Sequence, residues 1–378
     1  MVEKLLIKNF GPIIEVEFDD IRPLTVLIGE SGSGKSTILK VLSLFRWIYK
    51  RVSLRSYLQH AQIKQTGIGF KIQSLLKISG IYEYLNDDSV IVYTRDKYVI
   101  EMKNKTVNIR FTIVPDDLCL DKVCYISDKR AMVADFIDNK MERKVANYYL
   151  QDTIDNFSKA YKEIKQFSMD YLGVEFKVEK TNNSPEKLKI HGLDSDYSIE
   201  MKNASSGIQT VTPLAMIVGY YATKYNAVDS MNSALFQYMA DIDMLKEFNS
   251  AKNVGEIKKR AVHIMVEEPE LSLYPQSQKY LMDYLVKSCY QQEHDYDMTL
   301  MIATHSPYIV NYLNLLAGRA TKNIDTPYKL DFKDIDAYEI SGGLAISLKI
   351  DGEKQIFDTR SLSDPISEIY QEYNQFGL

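Results

Sequence analysis

The chain has 378 residues, 45% hydrophobic and 26% charged, with a net charge of −5. That balance suits a globular chain with a sizeable core and gives no global reason to expect a nucleic-acid partner. Its three cysteines lack metal-ligand spacing and are too few for a disulfide framework, the opening MVEKLLI is too short and polar for a signal peptide, and no apolar run reaches the roughly 18 residues of a bilayer span. The expectation is a cytoplasmic protein with no membrane segment.

In chain order, Leu5 to Ile7 and Val16 to Phe18 read as short strands around the turn Asn9 to Pro12, and Leu24 to Ile28 is an unbroken apolar run of the buried-strand kind. It leads into Gly29-Glu30-Ser31-Gly32-Ser33-Gly34-Lys35-Ser36-Thr37, which satisfies G-x-x-x-x-G-K-[ST]. Such a loop aims backbone N–H groups at phosphate oxygens at the positive end of a helix. Gly29, Gly32, Ser33, Gly34 and Thr37 would form the cradle. Lys35 would reach the β- and γ-phosphates, and the Ser36 hydroxyl would bind Mg²⁺. A helix follows from Ser36 to about Leu58.

Strands are expected between Ile91 and Val114. Ala131 to Leu172 is charged and free of Gly and Pro, which reads as one or two helices. Three strand-like pieces follow (Val174 to Val178, Leu188 to His191, Tyr197 to Met201), then a helical stretch from Ile208 to about Lys258, broken near Asn226. The run from Val262 to Val266 ends in Glu267-Glu268-Pro269-Glu270, an apolar strand closing on acids. In a P-loop protein that is where one carboxylate meets the metal shell and the next activates water, here Glu267 and Glu268 respectively. A helix from Pro275 to about Gln291 precedes a strand from Thr299 to Ala303 and then Thr304-His305-Ser306-Pro307. A histidine there would donate to a γ-phosphate oxygen and sense ATP. Strands and a closing helix complete the chain.

These residue sets resemble the ABC/SMC/RecF class of ATPases across nearly the whole chain, with closest similarity to compact AAA-type heads related to the OLD family and to anti-phage defence ATPases. The resemblance implies an α/β P-loop NTPase with an ABC-type head and two lobes. Residues 1–130 and 255–378 would form a discontinuous nucleotide-binding lobe; 131–254 would form a mainly helical lobe carrying the signature and a short insert. It also places the ABC signature at Asn203 to Gln209, where Ser205 and Gly207 of one subunit would close on the γ-phosphate held by another. Arg130, ending Cys124 to Arg130, corresponds to a family arginine near the nucleotide. Departures are Ala204-Ser205-Ser206-Gly207-Ile208 for the usual Leu-Ser-Gly-Gly-Gln and Glu267 where Asp is usual.

The implied function is that of an ATPase using ATP and Mg²⁺, with Glu268, Lys35 and His305 catalytic. Its heads would pair as a homodimer or higher oligomer and control a separate effector, as in anti-phage defence. A RecF-like repair ATPase and a nucleotide-gated scaffold with little turnover are the alternatives. Separately, the stretch between Ser31 and Tyr82 holds nine cations and no carboxylate. Arg46, Trp47, Lys50 and Arg51 share successive turns, which predicts either a solvated basic helix or a docking face for DNA, RNA or an acidic protein.

Overall fold

The computed structural model describes residues 2–61, 70–138, 142–180, 186–241, 257–350 and 355–376. The elements in chain order are β1 (Glu3–Phe10), β2 (Ile13–Phe18), β3 (Leu24–Ile28), α1 (Lys35–His60), α2 (Ile72–Ile78), β4 (Leu85–Arg95), β5 (Tyr98–Lys103), β6 (Thr106–Asn108) and β7 (Cys119–Ile126). Then come α3 (Val133–Ile137), α4 (Tyr148–Glu163), β8 (Gln166–Met169), β9 (Val174–Glu179), β10 (Lys187–Gly192), β11 (Ser198–Glu200), α5 (Ser206–Thr223) and α6 (Ala227–Asp241). The chain closes with β12 (Lys259–Glu267), α7 (Pro275–Tyr290), β13 (Asp297–Thr304), α8 (Pro307–Thr321), β14 (Ile335–Ser341), β15 (Leu344–Ser347), β16 (Lys349–Ile350), β17 (Ile356–Phe357) and α9 (Asp364–Gln375).

One 11-stranded sheet runs β6-β5-β4-β1-β2-β15-β14-β3-β13-β12-β7. From β14 to β7 the neighbours are parallel, while β1, β2, β4, β5 and β6 pair antiparallel. The division follows from burial. Parallel strands have both faces covered, and all five residues of β3 are buried, as an unbroken apolar run requires. Because β3 lies between β13 and β14, the loops leaving β3, β12 and β13 open at one edge, the carboxyl ends where α/β sheets place their ligands.

The charged segment after Ala131 is only partly helical. Gln166–Met169 forms β8 and pairs with β9, with Phe167 opposite Phe176, so a four-stranded sheet β11-β10-β9-β8 lies within 131–254 beside the helices. No glycine or proline marks this change; cross-strand pairing with β9 selects it over local helix propensity. The expected break near Asn226 is present, with the Asn226 side chain accepting from the Val228 and Asp229 N–H groups at the start of α6. The continuation over 242–256 and the boundary at 254/255 lie outside the described residues, as does Lys64 of the basic stretch; Lys258 itself is not helical.

Arg46 does not belong to the exposed basic face expected on α1. It is fully buried, its guanidinium donating to both carboxylate oxygens of Glu3 on β1, and the Tyr93 hydroxyl donates to the same carboxylate. The reason is that α1 is packed against the sheet along its length, which turns Arg46 inward. Burial alone would raise the Glu3 carboxyl, yet the adjoining Arg46 charge more than offsets it and holds it at about 2. Arg51 lies over the Trp47 and Tyr238 rings, so it too is absorbed by packing. Among the described residues no helix is long and apolar enough to cross a membrane.

Candidate functional site

The turn after β3 is shaped by its glycines. Gly34 has φ of 109°, a conformation closed to most residues, and a Cβ there would lie 2.4 Å from Ile13 Cδ1. It caps α1, so the free N–H groups of the first turn, with no acidic residue among them, face the cavity beside the loop. That cavity, about 300 Å³, is lined by Ser31, Gly32, Gly34, Lys35, Ser36 and Thr37 of the loop, by Glu268 and His305, and by Pro12, Tyr84 and Ala303. Gly29 and Ser33 are not among its lining residues. The Lys35 ammonium folds back onto the loop, donating to the Gly29 and Glu30 carbonyls at 2.8 Å each and to Ser33 Oγ at 3.4 Å. Desolvation lowers its pKa, and the charges of Glu268 and Glu270 act in the opposite sense.

The acids divide as their positions require. Glu267 is the last residue of β12 and is 5% exposed. Burial raises its pKa, opposed by the neighbouring Ser36 hydroxyl and by the Lys40 charge. The two residues expected to share a metal are therefore neighbours. Glu268 turns outward at φ 43°, an unusual conformation for a non-glycine residue and one met at functional turns. Its N–H donates to the Ala303 carbonyl, and its Oε1 lies 3.6 Å from His305 Nε2, both side chains half-exposed at the cavity.

Two supporting groups were not assigned a role from sequence. Glu270 Oε1 accepts from the Thr304 hydroxyl and from the His305 N–H, each at 2.7 Å, which fixes the histidine's backbone. Arg130, which the resemblance places near the nucleotide, is buried behind the acids. Its Nη1 donates to the Glu267 carbonyl at 2.7 Å and the Ser127 carbonyl at 3.2 Å, Nη2 to the Glu268 carbonyl at 2.6 Å, and Nε to the Thr210 carbonyl of α5 at 2.9 Å. Burial lowers its pKa to about 10, with the nearby carboxylates opposing, so it stays charged at neutral pH.

Ser205 and Gly207 do not line this cavity within the chain. Ser205 stands exposed just before α5, and Gly207 packs so closely on the loop after Glu268 that a Cβ would lie 2.8 Å from the Ser272 carbonyl oxygen. Gln209 braces the turn by donating to the Lys202 and Ala204 carbonyls, and Thr210 Oγ1 donates to the Leu271 carbonyl. The signature segment and the post-Glu268 loop thus form one surface, on which Tyr274 is 78% exposed.

A search of curated proteins gave no match. Among solved structures, the chain is similar to the SMC head domain from Thermotoga maritima, at 12% identity over 93% of this chain and 100% of that one, with a TM-score of 0.35. It is likewise similar to an ATP-binding cassette of an ABC transporter, at 13% identity over 98% and 99% of the two chains, with a TM-score of 0.37. The profile of the AAA ATPase domain matches residues 1–168 and 48–310, which span the glycine loop, Arg130, the signature segment, the paired acids and His305. The chain belongs to the AAA ATPase domain family.

Proposed function

We propose that this chain binds ATP with Mg²⁺ in the cavity beside the glycine loop and hydrolyses it, with Glu268 taking the proton of the attacking water. One observation carries the reading: Lys35, Ser36, Glu268 and His305 line the same cavity, with Glu267 buried at the end of β12 just before Glu268. The oxygen donors of Ser36 and Glu267 fit a small hard cation. Such an ion, when bound, supplies positive charge against the phosphoryl oxygens. Lys35 exchanges its carbonyl partners for phosphate oxygens. Glu268 Oε1 holds the accepted proton, and His305 Nε2 donates to the terminal phosphate, held in place by Glu270.

The proposal includes pairing. Ser205 and Gly207 of one copy would close on the nucleotide of another, since they sit on an exposed surface away from their own cavity. The exposed Tyr274 and the Tyr308 ring, 54% exposed just after His305, give that surface apolar area to bury. In the fuller form of the reading, pairing controls a separate effector, as the resemblance to defence ATPases implies. The experiment is to measure ATP binding, light scattering with ATP, and turnover for Ser205→Arg. Intact binding with pairing and turnover lost is expected; normal turnover would sink the shared site.

A further inference from the structure

A second cavity, about 410 Å³, lies between α1, α4 and α6 over β7, and its chemistry is not used by the ATPase reading. Three lysines from three elements converge on it: Lys50 of α1, Lys122 of β7 and Lys159 of α4. Asp152 is the one carboxylate in its lining, and its Oδ2 already accepts the Tyr125 backbone N–H at 2.8 Å. None of the three lysines forms an ion pair or hydrogen bond with another described residue; Lys122 has only the Tyr221 ring, 5.8 Å away. Burial and then the Lys122 charge press Lys50 down to about 8, against Asp121 and Asp152, and burial and Lys122 likewise lower Lys159, against Asp152 and Asp155. Like charges gathered in a partly desolvated hollow are costly unless an anion joins them.

We propose that this hollow is a binding site for a small phosphate-bearing molecule of about mononucleotide size, distinct from the ATP cavity. Three ammonium groups supply up to nine donors for phosphate oxygens. The Ser230 and Ser233 side chains of α6 line the same wall. Trp47 adds a flat apolar surface, although one of its faces also meets Arg51. The volume falls within the range of small-ligand pockets. Tyr125 also lines the hollow.

The test uses Lys35→Ala, which silences the glycine loop, titrated calorimetrically with pyrophosphate and with AMP. One equivalent per chain is expected to bind. Adding Lys50→Gln and Lys159→Gln should weaken it at least tenfold, the scale of losing charge-assisted bonds. Asp152→Asn, which keeps an acceptor for the Tyr125 N–H, should tighten it several-fold and does not depend on the lysine variants folding well. No binding by Lys35→Ala at millimolar ligand, or equal affinity with and without the lysines, overturns the site. Tighter binding of a 5′-phosphorylated oligothymidylate than of AMP and pyrophosphate overturns its assignment to a small molecule.

Discussion

Replacing Arg130 with lysine should slow ATP turnover while leaving ATP binding nearly intact. The guanidinium serves four carbonyls, and those of Glu267 and Glu268 flank the peptide that sets the direction of both carboxylates proposed to act in hydrolysis. A lysine ammonium is a single point and cannot span carbonyls on β12, α5 and the end of β7 together. Each buried carbonyl left without a donor costs about 1–3 kcal/mol, and the strained φ at Glu268 needs about 1–3 kcal/mol of support from its surroundings. A loss of about 3 kcal/mol in holding that peptide corresponds to roughly 100-fold in rate, the same scale as a 1 Å misplacement of a catalytic group. The assay pairs steady-state phosphate release with fluorescent-nucleotide binding. A fall in kcat of about 10- to 100-fold with little change in Kd is expected. Unchanged kcat, or equal losses in kcat and binding, would refute the claim that Arg130 aims the acids.

The buried ion pair gives a prediction about stability. Arg46→Met should destabilise the chain by about 3–5 kcal/mol by leaving Glu3 charged and unpartnered, and adding Glu3→Gln should recover much of the loss in chemical denaturation. The pH dependence has a definite sign. The Glu3 carboxyl is held near 2, below its ordinary 4.5, so its contribution is present above pH 4.5 and is lost as pH falls toward 2. In Glu3→Gln that acid-side loss should shrink by about 3 kcal/mol, read from melts between pH 5 and 3 extrapolated downward. Gly207→Ala should reduce turnover more than ATP affinity, because the added methyl pushes on the Ser272 carbonyl of the loop that follows Glu268. Equal kcat in Gly207→Ala would show that the two loops are not coupled.

Much of the candidate cavity was legible in sequence because its determinants are local. The glycine loop, the acids closing an apolar strand and the histidine after the next strand each carry their signal within a few residues, and β12 and β13 bring them together. What was missed depends on partners distant in the chain. Arg46 reads as a surface cation until Glu3, 43 residues away, is seen beneath it. Arg130 bonds to backbone carbonyls, and Glu270 to the Thr304 hydroxyl and the His305 N–H, contacts that no spacing rule identifies. β8 exists because β9 lies beside it. The lysine hollow was half visible, since Lys50 and Trp47 were read on one face, but Lys122 and Lys159 come from elements whose approach to α1 only the fold reveals.

The central claim is that Glu268 activates water at this cavity, and single-turnover hydrolysis of ATP by Glu268→Gln tests it most directly. The variant retains Lys35, Ser36 and the glycine loop, so it should bind ATP as the unaltered chain does and cleave it at least 100-fold more slowly, the scale of losing a positioned general base. Cleavage at nearly the unaltered rate with ATP bound would contradict the account.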